Sequence, residues 1–155
     1  MRKLQDEIRQ TKPFESLEDE AFVSVLRTAG AFQWREAEFL KPYEITLPQY
    51  NVLRILRGSE PDGLICREIG ERMITRDPDM TKLLDRLEAR GLVGRERQEK
   101  DRRVIVVRVT PEGLRLVKEI DRPVLKLTEE LLGHMGERKL RTLIRLLGEA
   151  RAKAS

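Results

Sequence analysis

The chain is poor in the residues on which metal, covalent and disulfide chemistry depend. It contains one cysteine, Cys66. No internal disulfide can form, and a reducing cytoplasm is the expected compartment. Its one histidine, His134, has no cysteine or second histidine to share a metal that would need three or four converging ligands. Aromatic residues make up only 5%, so the core must be largely aliphatic. No apolar run approaches the ~18–20 residues of a membrane span. The opening stretch MRKLQDEIRQTKPFE lacks the apolar centre of a secretory signal. Nucleophilic triads and dyads, metal clusters and glycine-rich phosphate cradles are also missing. The reading is therefore a protein that is not an enzyme, with no cofactor, no metal and no membrane partner.

What is present is charge. Charged residues make up 37% and hydrophobic residues 39%, a mixture that favours a helix-rich soluble domain with strongly charged outer faces. At 155 residues the chain is long enough for one real core, and a single domain over 1–155 is expected. The net charge of +4 is mild, but its distribution is not. Between Arg86 and Arg108 there are eight Lys/Arg (86, 90, 95, 97, 100, 102, 103, 108) against four acids (88, 96, 99, 101), while the remainder holds 23 of each sign. All the excess positive charge lies in one short segment, as expected of a surface that binds a polyanion. A merely solvated charged hairpin is the bland alternative.

Helix signals punctuate the chain. Ser16-Leu17-Glu18-Asp19 resembles a capping box, with Asp in the place of Glu. Phe22, Val25, Leu26, Ala29 and Phe32 then recur at helical spacing, predicting a long helix to about Leu40 that Lys41-Pro42 ends. Thr46-Leu47-Pro48-Gln49 is a second capping box, opening a helix that Gly58 stops. After the turn SEPDG, the stretch ICREIGERM predicts a short helix. Asp77-Pro78 reads as the start of a fourth, with Asp77 as N-cap, and Met80, Leu83, Leu84 and Leu87 form its apolar stripe. Gly91 should close it, with Leu92 packing back. Val93–Arg97 and Arg103–Val109 read as two strands around the polar tip QEKDR. Thr110-Pro111 caps a fifth helix carrying Leu114, Val117 and Ile120, which Pro123 should kink or break. A last helix, about Glu137 to Ala152, carries Leu140, Leu143, Ile144 and Leu147.

Three short helices followed by a hairpin make a winged helix-turn-helix, in which the last of the three helices enters the major groove of DNA and the hairpin touches a neighbouring groove or the backbone. The stretch ERMITRDPDMTKLLDRLEARGLVGRERQEKDRRVIVVRVTPEG resembles the MarR family of bacterial transcriptional regulators. The likeness rests on a Thr before LLDRLEARGLV, then Arg-x-Arg, Asp-x-Arg on the wing and VTPEG, and runs from about Leu47 to Gly113. It implies a mainly α (α+β) fold, a winged helix-turn-helix lobe over 46–110 with a two-stranded wing, and long N- and C-terminal dimerisation helices over 16–45 and 111–155. It also implies a homodimer that binds double-stranded operator DNA, most simply a repressor released by a small lipophilic or phenolic effector.

Carried over by position, Asp101 orients Arg103, and Arg103 enters the minor groove. A narrow groove concentrates negative potential, and an arginine held by a carboxylate loses less entropy on insertion. Positions of the fourth helix that avoid its apolar stripe face outward. Thr81, Lys82 and Arg86, with Thr75 and Arg76 in the preceding turn, suit phosphates or base edges. Arg95, Arg97, Lys100 and Arg102 complete the DNA-contacting set. Asp79 reads either as an acceptor for cytosine N4 or as a residue kept off the DNA.

Phe32, Trp34, Phe39 and Tyr43 gather near the end of the long first helix. The resemblance makes them candidates for an effector pocket, although core and dimer packing explain each of them as well. Cys66 reads as a small hydrophobe. The redox-sensing branch of the family uses a cysteine in the first-helix region, where this chain has none. Two alternatives to a DNA-binding repressor remain: a winged-helix adaptor for another protein, and a thiol-based redox regulator.

Overall fold

Helix α2 (Leu17–Leu40) starts where its sequence signal lies. The Ser16 hydroxyl accepts the Asp19 N–H at 3.2 Å, capping one of the four amides left open at a helix start. The computed structural model describes residues 3–76, 79–98 and 101–153. The chain divides into two compact units, Met1–Tyr43 and Glu44–Ser155. In the first, α2 follows a one-turn helix α1 (Leu4–Glu7) and runs into a 3₁₀ turn at Lys41–Tyr43. Of its 24 residues only Leu40 is buried. Phe22, Val25 and Leu26 of the predicted stripe stand exposed, Phe22 to 64%.

The second unit holds the core. Helix α3 (Leu47–Arg57) opens with a reciprocal capping box, Thr46 N–H donating to Gln49 Oε1 at 3.0 Å and Gln49 N–H to Thr46 Oγ1 at 3.4 Å. It buries Tyr50, Val52, Leu53 and Leu56. Against it pack α4 (Cys66–Arg72), α5 (Met80–Ala89), α6 (Pro111–Leu132) and the sheet. Helix α5 buries Leu83, Leu84 and Leu87. It ends at Gly91, whose φ of 68° is the left-handed conformation that lets Leu92 N–H reach back to the Leu87 carbonyl at 3.0 Å.

The two expected strands are β2 (Val93–Arg97) and β3 (Ile105–Val109), antiparallel with Val93 opposite Val109 and Arg97 opposite Ile105. The sheet is not two-stranded, however. A short β1 (Leu64–Ile65) pairs with β3 on its other side, giving the order β1-β3-β2. Two residues carry too little pattern to be read as a strand, but they satisfy the inner edge of β3 and leave the outer hairpin as the wing. Gly113 in the first turn of α6 is obligatory, since a Cβ there would lie 2.2 Å from the Leu92 carbonyl oxygen.

Pro123 does not break its helix, which leaves a kink as the other outcome expected of it. Helix α6 continues through it to Leu132 because Val117 and Ile120 before the proline and Val124 and Leu127 after it are buried on one face. That burial offsets the roughly 3 kcal/mol that an internal proline costs. A 3₁₀ turn (Gly133–Met135) leads to α7 (Glu137–Arg151), which has no buried residue. His134 is exposed. Among the described residues no helix is long and apolar enough to cross a membrane, and no cluster could hold a metal.

Candidate nucleic-acid interface

The interface is built on α4, α5 and the wing of the second unit. Asn51 on α3 ties the turn between α4 and α5 to the core, its Oδ1 accepting the Ile74 N–H at 2.8 Å. The sequence reading missed Asn51. Its only signal was an amide beside the apolar Val52 and Leu53 in the stretch YNVLRIL. This tie leaves Thr75 and Arg76 exposed just ahead of α5.

Where the sequence pointed to Asp77, helix α5 is capped by Asp79. Its carboxylate accepts the Lys82 N–H at 3.1 Å and pairs with Lys82 Nζ at 2.8 Å. These two bonds, from the Lys82 side chain and backbone, hold the Asp79 carboxyl below the usual carboxylate range, and the pairing in turn raises the Lys82 ammonium. Asp77 and Pro78 lie outside the described residues. On the outer face, Thr81, Lys82 and Arg86 are exposed while the leucines point inward. Arg86 makes no ion pair with another described residue, so the positive charge this face offers is concentrated on it and on Arg76, with Lys82 partly neutralised.

The wing closes through Gln98 N–H to the Val104 carbonyl and Val104 N–H to the Asp101 carbonyl, both 3.0 Å. Asp101 organises this tip. Its Oδ1 accepts the Arg103 backbone N–H at 3.0 Å and lies 3.8 Å from Arg103 Nε. The carboxylate thus holds the Arg103 backbone more tightly than its guanidinium, which is 96% exposed. Arg102 and Arg97 are exposed as well. Lys100 lies outside the described residues. Arg95 is the exception among the predicted contacts. Its guanidinium is turned onto α5, where Nη1 meets Asp85 Oδ1 at 2.6 Å and Glu88 Oε2 at 3.0 Å.

The four candidate pocket aromatics do not form one cluster. Phe39 and Tyr43 pair with ring centroids 5.7 Å apart at 44°, and Phe32, seven residues before Phe39, shares their face. Trp34 is two residues from Phe32, on the opposite side of the helix, and is 64% exposed. Cys66 is half-buried at the start of α4.

The model of the MarR family matches residues 45–105, the part of the chain that carries this interface. The HTH-type transcriptional regulator TtmR of Methylorubrum extorquens (strain PA1) is 36% identical over 107 residues, covering 69% of this chain and 54% of TtmR, so the match spans about half that relative's length. An uncharacterized HTH-type transcriptional regulator of Bacillus subtilis (strain 168), YsmB, is 31% identical over 110 residues, 71% of this chain and 73% of YsmB. Among solved structures, a MarR transcription factor from Planctomyces limnophilus is 40% identical, covers 88% of this chain and 98% of its own, and superposes with a TM-score of 0.68.

Proposed function

This chain belongs to the MarR family, which comprises transcription regulators and not enzymes, and from that premise we propose that it is a homodimeric repressor that binds double-stranded operator DNA. In this reading 46–110 is the DNA-binding lobe. Helix α5 lies in the major groove, where Thr81, Lys82 and Arg86 meet base edges and phosphates, with Thr75 and Arg76 on the backbone beside it. The wing enters the minor groove through Arg103, while Lys100, Arg102 and Arg97 act on phosphates. The observation that carries the reading is that the one segment holding the chain's excess positive charge, 86–108, runs from the exposed Arg86 of α5 to the exposed Arg97, Arg102 and Arg103 of the wing.

Dimerisation rests on 16–45 and 111–155. The exposed Phe22, Val25 and Leu26 of α2 and Ile144 of α7 are apolar surface that a second copy would cover. A small lipophilic or phenolic effector is proposed to release the repressor by binding better to a conformation whose half-site spacing does not match the operator. The Phe32 and Phe39–Tyr43 face is the proposed place for it, and the cytoplasm the proposed compartment. The test is a mobility shift of the duplex upstream of the protein's own gene over a salt series. A repressor of this kind shifts it, with affinity falling steeply as salt rises. A winged-helix adaptor for another protein gives no shift at any salt concentration.

A further inference from the structure

Arg95 and Arg97 stand two apart on β2 and so point to the same side of the strand, yet they end in different environments. Arg97 is exposed and makes no ion pair with another described residue. Arg95 is folded back onto α5, with its side chain only 24% exposed. One terminal nitrogen serves both Asp85 and Glu88, and the other donates to the Thr81 carbonyl at 3.4 Å. All three acceptors lie on α5, on successive turns, and the donor lies on the stalk of the wing.

We propose that Arg95 is a positioning residue that clasps the wing to the recognition helix, so that the two DNA-reading elements keep one fixed separation. This rests on the DNA-binding reading above and reassigns Arg95 within it from a DNA contact to a structural tie. The guanidinium suits the task because its planar fork supplies several donors in fixed directions, whereas an ammonium is a point charge that cannot span three acceptors in the same geometry. The need for a tie follows from leverage. The wing tip lies roughly 10–15 Å beyond Arg95 at about 3.3 Å per strand residue, so a tilt of about 10° at the stalk would carry Arg103 about 2 Å sideways. The clasp has a second consequence. Asp85 and Glu88 are exposed carboxylates on a helix that must approach phosphates, and Arg95 offsets both.

The test combines affinity for the protein's own upstream duplex over a salt series with amide exchange of the free protein. Arg95→Lys keeps the charge and removes the fork. It should weaken binding about fivefold, the scale of a surface ion-pair network, leave the slope of log affinity against log salt unchanged, and speed exchange in 93–97 but not in α6. Asp85→Asn should also weaken binding, although it removes a negative charge from the DNA-facing helix. Parental affinity and parental exchange in Arg95→Lys would overturn the proposal. So would tighter binding by Asp85→Asn, which would mean that the freed Arg95 reaches a phosphate. A parent protein that fails to shift DNA at any salt concentration refutes the DNA-binding reading, while the exchange comparison still decides whether the clasp holds the wing.

Discussion

Helix α5 buries Leu83, Leu84 and Leu87 inside its own unit, whereas α2, more than twice as long, buries only Leu40. Both helices carry apolar residues at three- and four-residue spacing. The difference is what each stripe meets. Around α5 the chain supplies α3, α4 and β2 within contact distance, and the stripe is sealed by its own neighbours. Around α2 the stripe keeps Phe22, Val25 and Leu26 largely in solvent. A helical stripe specifies that a face will be buried, and leaves open whether the same chain or a second copy buries it.

The largest expected effect tests that contrast directly. Leu87→Ala, at a fully buried position, should cost about 2–5 kcal/mol of stability, read from the urea midpoint. Phe22→Asp together with Leu26→Asp should leave helix content unchanged and act on assembly. Light scattering at micromolar concentration should give the parent twice the 18.1 kDa chain mass and the double variant a single mass. A parent of one chain mass under those conditions would refute the dimer.

Next in size is the wing tip. Arg103→Ala should weaken operator binding by about 1–3 kcal/mol per half-site, on the scale of one specific contact, while Arg102→Ala mainly flattens the salt dependence. Asp101→Ala should weaken binding too, because the Arg103 backbone loses its acceptor. Tighter binding at fixed salt would reduce the wing to a charged surface and remove the role given to Asp101.

A smaller effect belongs to the start of α5. Asp79 holds its proton less readily in the folded protein than its ordinary value of 3.8. Its contribution is therefore whole above that value and lost as pH falls through the lower folded value. Asp79→Asn, which still caps, should lose part of the acid sensitivity of α5 while keeping the helix at neutral pH. If both proteins lose α5 amide protection along the same pH course, the cap charge contributes nothing. The smallest effect is expected at Cys66. Cys66→Ser should keep DNA affinity, and peroxide should not alter the parent. Peroxide-dependent release that disappears in the variant would instead make this a thiol-based regulator.

The legible parts of this fold are those decided within a few residues. Thr46 and Gln49 cap each other because a hydroxyl and an amide three apart find the same open N–H groups in almost any surroundings. Gly91 ends α5 because only a residue at ease with positive φ lets Leu92 turn back. The leucines of α5 and the concentration of positive charge around the wing are likewise periodic or compositional, and the sequence determined them by itself.

The parts that only the tertiary structure decided are those where distant residues compete for one partner. Pro123 costs a helical hydrogen bond locally, and the buried faces on both sides of it outweigh that loss. The two-residue β1 exists because β3 had an edge to fill. Arg95 and Arg97 are alike as letters two places apart. Arg95 is drawn in because Asp85 and Glu88 lie opposite it on α5, and Arg97 stays in solvent at the far end of the strand. Local free energies of a few kcal/mol or less set the candidates, and the larger sum of burial and charge pairing across the assembled lobe chose among them.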